Sequence, residues 1–263
     1  MHAARPADDD PTDPLSHALH LQAQDLPALV ASALAAGRVR LAFQPVVMAD
    51  DPARIAFHEG FVRLVDPAGR LLPAASFIAG VQDRAEGRDI DTAALRLGLA
   101  ALRDNPALRL AINMSARSIG DDGWRAALDD GLAAAPDTGA RLILEISESS
   151  AMTLPEIVAR FMAAMQPQGI SFALDDFGDG FLSFRHLRDF YFDMVKIAPG
   201  FVQGIDTSPD NQVVVEALVA VARQFGMFTI AEGVETAADR DRLARMGVDC
   251  LQGYLFGRPR PAP

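Results

Sequence analysis

SFALDDFGDGF, residues 171–181, runs an unbroken apolar segment into two adjacent aspartates and follows them with two glycines. An apolar run without alternation suits a strand buried on both faces, as in a parallel sheet covered by helices. Two charges at the C-terminal end of such a strand stand where α/β folds place their sites rather than their cores.

The same grammar repeats outward from this stretch. Strand-length apolar runs occupy residues 40–47 (RLAFQPVV), 54–64 (RIAFHEGFVRL), 108–114 (LRLAINM), 141–147 (RLILEIS), 169–175 (GISFALD), 193–197 (DMVKI), 227–233 (MFTIAEG) and 250–256 (CLQGYLF). Helical patterns lie before and between most of them, beginning at residue 26 and continuing over 77–87, 91–105, 122–135, 154–165, 211–226 and 237–247. Eight strands separated by helices predict a TIM-like (β/α)8 barrel of the α/β class. Its start is irregular, because only the short turn MADDPA joins the first two strands. A doubly wound sheet is the rival, but no GxGxxG follows the first strand.

The chain of 263 residues is half hydrophobic, which is enough for one large domain. We read residues 1–23 as a flexible acidic leader and 24–263 as the barrel domain. No apolar stretch reaches membrane-spanning length and the N-terminus has no apolar signal core, so a cytoplasmic protein without a membrane partner is expected. Thirty-five acidic residues against 24 basic ones give a formal net charge of −11, which disfavours DNA or RNA as partners. The single cysteine, Cys250, excludes an internal disulfide and fits a buried apolar role. His17 and His20 stand three apart with no further ligand nearby, and read as surface residues.

Polar residues recur at strand ends: Glu59, Asn113, Glu145, Asp175 with Asp176, Lys196, Glu232 and Gln252. Any one carboxylate alone is explained equally well as a helix N-cap. Several converging on one barrel mouth repel unless a cation sits among them. All-oxygen ligands with one amide suit Mg²⁺ or Mn²⁺, and two such ions suit phosphodiester hydrolysis.

FQPVV, EGFVR, INMSAR, LEISES, LDDFGDG, VKI, AEGVET and LQGYLFGRP, in that order over about residues 24–260, resemble the bacterial EAL-domain family. That family comprises phosphodiesterases and receptors for cyclic di-GMP. The resemblance implies a TIM-like barrel with an antiparallel first strand and hydrolysis of cyclic di-GMP to linear pGpG. It implies Glu59, Asn113, Glu145 and Asp175 around one ion, with Asp175 shared and Asp176 near the second. Glu232 completes the acidic cluster, and either it or the metal activates the water. Lys196 orients that water or offsets charge, and Glu148 anchors the loop after the aspartate pair. Gln44, Arg63 and Gln252 are implied as ligand contacts, and Glu235 as a supporting carboxylate. Phe172, Phe177, Phe184, Phe190 and Phe192 read as core and loop packing, with the aromatics of FRHLRDFYFD as an alternative dimer surface; a homodimer and a regulatory protein partner are further expectations.

The chain departs from the family pattern in EGF for EAL, in Asp179, Phe181 and Leu182 of DDFGDGFLS, and in KIA for KID. Two alternatives to the hydrolase therefore stay open: a receptor that binds cyclic di-GMP without turnover, and a degenerate protein-interaction module.

Overall fold

The computed structural model describes residues 26–178 and 187–263. The leader, His17, His20, Asp179, Phe181, Leu182 and Phe184 lie outside the described residues. Nine strands form one sheet: β1 (Val39–Met48), β2 (Ile55–Val65), β3 (Leu71–Pro73), β4 (Leu110–Asn113), β5 (Leu142–Ser147), β6 (Ser171–Phe177), β7 (Met194–Ile197), β8 (Phe228–Ala231) and β9 (Cys250–Gln252). The order β1-β9-β8-β7-β6-β5-β4-β2 closes on itself through a β1–β2 pairing, with β3 outside the ring on the edge of β2. The eight-stranded barrel is therefore the one read from the sequence.

The irregular start has a simple cause. The six-residue MADDPA segment is too short for a crossover helix, so β1 must turn back on β2, and it runs antiparallel to both β2 and β9. From β2 through β4, β5, β6, β7, β8 and β9 all pairings are parallel. Their crossovers are the helical segments: Ala85–Asp104, Asp122–Ala134, Pro155–Met165, Pro209–Gln224 and Ala237–Arg245 are the longest. Side chains mark where several begin. Asp121, Ser208 and Thr236 each accept a hydrogen bond from a first-turn amide, satisfying a donor the helix cannot.

Among the described residues the buried apolar side chains form three clusters, the smaller outer one joining Val30, Ala33 and Phe77 to Val39 and Leu64. Inside the barrel, Val46, Phe57, Ala111, Ile143, Ala173, Ile230 and Cys250 form one buried layer. Outside it a larger cluster fills the space between sheet and helices. There Trp124, Phe161 and Phe172 meet edge-on with centroids 5.7 Å apart, linking two helices to β6. Trp124 thus packs on the barrel exterior, and Cys250 is a buried apolar residue, as expected.

Several details differ from the sequence reading. The patterns at 77–87 and 91–105 are not two helices of those limits: a short helix, Ile78–Val81, precedes one long helix, Ala85–Asp104. Gly87 marks no stop; it lies in the first turn because a Cβ there would stand 2.6 Å from Val81 O. The last strand ends at Gln252, since the next residue, Gly253, is pressed against the Val234 backbone. Phe190, by contrast, is buried and packs on Phe192 with centroids 5.5 Å apart, which is the core role expected of it rather than the alternative dimer surface; Tyr191 is the exposed aromatic of that stretch.

Candidate active site

Strand periodicity builds the site. Within a strand, residues two apart share a face, so Glu59, Asn113, Glu145, Asp175, Lys196, Glu232 and Gln252 all follow the inner apolar layer by one step toward the C-terminal mouth. Lys196 is fully buried at the centre. Its Nζ lies 2.9 Å from Glu59 Oε2, 2.8 Å from Glu145 Oε2, 2.9 Å from Glu232 Oε1 and 3.4 Å from Asp175 Oδ1. Asn113 Nδ2 donates to Glu59 Oε1 at 2.7 Å, and Gln252 Nε2 donates to Glu59 Oε2 at 2.8 Å. Gln252 also reaches Gln44 Oε1 at 3.3 Å, while Gln44 Nε2 donates to Gly257 O.

The two aspartates do not behave as ordinary strand neighbours, which would point to opposite faces. Asp176 has φ 58°, a left-handed conformation that aspartate tolerates better than most residues. The turn keeps Asp176 on the inner side, and carboxylate oxygens of Asp175, Asp176 and Glu232 come within 4.8 Å of one another. Glu148 stands apart from this group. It is buried at the start of the helix Glu148–Thr153, and its Oε2 accepts a hydrogen bond from Gly178 N at 3.1 Å, which ties down the chain just after Asp176.

Four carboxylates around one ammonium leave excess negative charge in a dry place, and proton affinities respond. Burial pushes Glu145 well above the usual carboxylate range, and its neighbour Glu59 pushes the same way. Burial raises Glu232 to about 8 despite Lys196. Glu59 goes the other way: burial opposes its charge, but Lys196, Gln252 and Asn113 together hold it below the ordinary value. Lys196 is held well above its own, since the surrounding carboxylates outweigh burial.

The residues fit a hard divalent cation. The donor set is oxygen throughout, and Glu145 Oε1 is buried with no hydrogen-bond partner, an arrangement costly without a cation to accept it.

Above this floor lies a cavity of about 720 Å³, lined among others by Gln44, Glu59, Asn113, Asp175, Asp176 and Glu232. Lys196, Glu145 and Gln252 are the buried floor beneath it. Arg63 lines the wall, and its guanidinium lies 5.7 Å from the Phe61 ring centroid. Glu235 stands apart from the others: the turn through Gly233, at φ 72°, buries Val234 and leaves Glu235 exposed and off the cavity wall. Conversely, the wall holds Asp91, Arg117 and Tyr254, which the sequence reading did not single out. Arg117 and Tyr254 sit inside INMSAR and LQGYLFGRP, whereas Asp91 looks like any acid opening a helical pattern.

Comparison with known proteins identifies the family. The EAL domain family matches residues 29–259. The chain is 30% identical over 236 residues to the cyclic di-GMP phosphodiesterase PdeB of Shewanella oneidensis, covering 88% of this chain and 28% of that protein. It therefore spans under a third of that relative's length. Among solved structures, the PaMucR phosphodiesterase in complex with c-di-GMP superposes with a TM-score of 0.78 at 28% identity, over 90% of this chain and 98% of that one. The FimX EAL domain of Pseudomonas aeruginosa, bound to c-di-GMP, gives a TM-score of 0.82 at 26% identity, over 90% and 97%. By sequence and by barrel architecture, this chain belongs to the EAL domain family.

Proposed function

We propose that this barrel is a metal-dependent phosphodiesterase that opens cyclic di-GMP to linear pGpG. The observation that carries the reading is the convergence of six oxygen-bearing side chains, Glu59, Asn113, Glu145, Asp175, Asp176 and Glu232, on the mouth above Lys196. A pair of Mg²⁺ or Mn²⁺ ions would supply Lewis-acid activation of a water and positive charge beside the phosphate. Glu59, Asn113, Glu145 and Asp175 would hold one ion, and Asp175, Asp176 and Glu232 the other.

The chain's own residues have separable tasks. Lys196 fixes Glu59 and Glu145 in place and limits their mutual repulsion. Gln252 and Asn113 orient the two oxygens of Glu59. Without a cation, burial raises the Glu232 carboxyl to about 8, and a cation held beside it would favour its charged form. Arg63, on the wall, faces phosphate or guanine, and Gln44 and Gln252 meet the ligand from the β1–β9 side. Glu148 acts at a distance, by holding the segment after Asp176. The cavity volume suits a ligand of dinucleotide size.

One observation favours a second reading, a receptor that binds without turnover. Ala198, two residues after Lys196, is buried and provides no side-chain cap to the helix Pro199–Val202. A carboxylate there would share the control of Lys196.

Incubation of pure protein with cyclic di-GMP and Mn²⁺, followed by chromatography, separates the readings. Accumulating pGpG that stops with chelator or in Glu59→Ala supports the hydrolase. Tight binding with intact ligand at high protein concentration supports the receptor. Neither binding nor product leaves the interaction module. A homodimer and a regulatory protein partner belong to the same proposal. Light scattering on Tyr191→Ser, at an exposed site, tests the dimer surface better than a core change at Phe190.

A further inference from the structure

We infer that Gly60, the residue that makes this chain's motif EGF, is a positioning residue for the metal ligands, because with Gly98 it forms a slot for the δ-methyl of Ile112. The inference rests on the metal-site reading above. Gly60 and Ile112 are paired across β2 and β4, the last paired rung of that parallel ladder. Glu59 precedes Gly60 and Asn113 follows Ile112, and those two side chains meet at 2.7 Å across the inner face of the rung. On the outer face, a Cβ on Gly60 would stand 2.9 Å from Ile112 Cδ1. A Cβ on Gly98, in the helix Ala85–Asp104, would stand 2.9 Å from both Cδ1 and Cγ1 of the same side chain.

One methyl thus fills the volume of two missing ones. Ile112 is buried, and the two δ-methyls of Leu110 lie 3.5 Å from the two glycine positions, so the slot is closely packed around the δ-methyl. Ordinarily the far end of a side chain swings aside cheaply; here a new Cβ on β2 pushes either the helix or β4, and β4 carries Asn113. The family's alanine at this position is therefore not an improvement in this chain. Restoring it alone separates Glu59 from Asn113, and restoring it with Ile112→Val refills the slot from the other side.

The test is Mn²⁺ calorimetry on the full chain for wild type, Gly60→Ala, Ile112→Val and the double variant, with thermal midpoints of the metal-free proteins. We expect Gly60→Ala to bind Mn²⁺ about tenfold more weakly than wild type, the size of loss seen when support behind metal ligands is disturbed. The double variant should bind more tightly than either single variant. Because Ile112→Val removes only one methylene, the comparison of that variant with the double one holds even where Gly60→Ala does not fold. The inference is overturned if Gly60→Ala binds Mn²⁺ like wild type, if only its midpoint falls, or if the double variant binds no better than Ile112→Val. Wild type that takes up no Mn²⁺ overturns the metal-site reading itself, a different result from wild type that binds and variants that match it.

Discussion

The barrel interior has two layers separated by a single strand step, and they obey opposite rules. Phe57, Ala111, Ile143, Ala173, Ile230 and Cys250 make the lower one; Glu59, Asn113, Glu145, Asp175, Glu232 and Gln252, each two residues later, make the upper. Met194 and Lys196 continue the pairing on β7, and β1, running backwards, reverses it with Val46 below and Gln44 above. About 6.6 Å of rise converts a packed apolar plug into a charged cluster. The lower layer gains stability from burial, whereas the upper layer spends it: Glu145 Oε1 has no partner, and Glu145 and Glu232 both resist ionisation. Such a layer is intelligible as a site that a cation completes.

The sharpest way to break this contrast is to remove the one cation the upper layer owns. Lys196→Met leaves four carboxylates facing each other, and chemical denaturation at pH 7 should show a loss of about 3–5 kcal/mol, with ligand binding abolished. Were stability unchanged, the four ion pairs would not organise the layer.

Within the layer, Glu59 and Glu145 should answer oppositely to neutralisation. Glu59→Gln gives up charge-assisted bonds from Lys196, Asn113 and Gln252 and should cost about 1.5–3 kcal/mol in the metal-free protein. Glu145→Gln should hold or raise the metal-free melting midpoint. A carboxyl whose folded pKa is raised loses stability as pH climbs through that value, so the gain should grow with pH. Both variants should lose Mn²⁺ affinity, which separates stability from function at the same site. In the lower layer, Ile143→Val should cost about 1 kcal/mol and leave turnover and metal binding as they were.

The cavity wall offers an effect that shows only against pH. Asp91 accepts hydrogen bonds from Ser115 N at 2.8 Å and Ser118 Oγ at 2.6 Å, but burial still raises it to about 6. Its raised value means stability is greatest with the proton on and falls as pH rises between about 4 and 6. The stability difference between wild type and Asp91→Asn should therefore change by about 3 kcal/mol across that window, and be nearly constant from pH 7 to 8. A difference that does not move with pH would place the Asp91 charge in solvent.

The barrel and its polar strand ends were legible because parallel strands covered on both faces leave continuous apolar runs, and a charge closing such a run has few bland explanations. The family pattern added roles for Glu148 and Gln44 that spacing alone does not give. The three-residue β3 escaped because LLP is too short for any period to show. The exposure of Glu235 was out of reach because AEGVET reads as one continuous motif, whereas the left-handed turn at Gly233 sets Glu235 off the cavity wall. Contacts that join distant segments were also out of reach: one lysine among four carboxylates, and one isoleucine methyl between two glycines, exist only after the ring has closed.

Manganese-soaked crystals, examined by anomalous scattering, test the central claim most directly. The account expects manganese density at the mouth of the barrel, within bonding distance of Glu59, Asn113, Glu145 and Asp175, with a second site beside Asp176 and Glu232. Crystals that hold no manganese among these residues while Lys196 keeps its four ion pairs would contradict it.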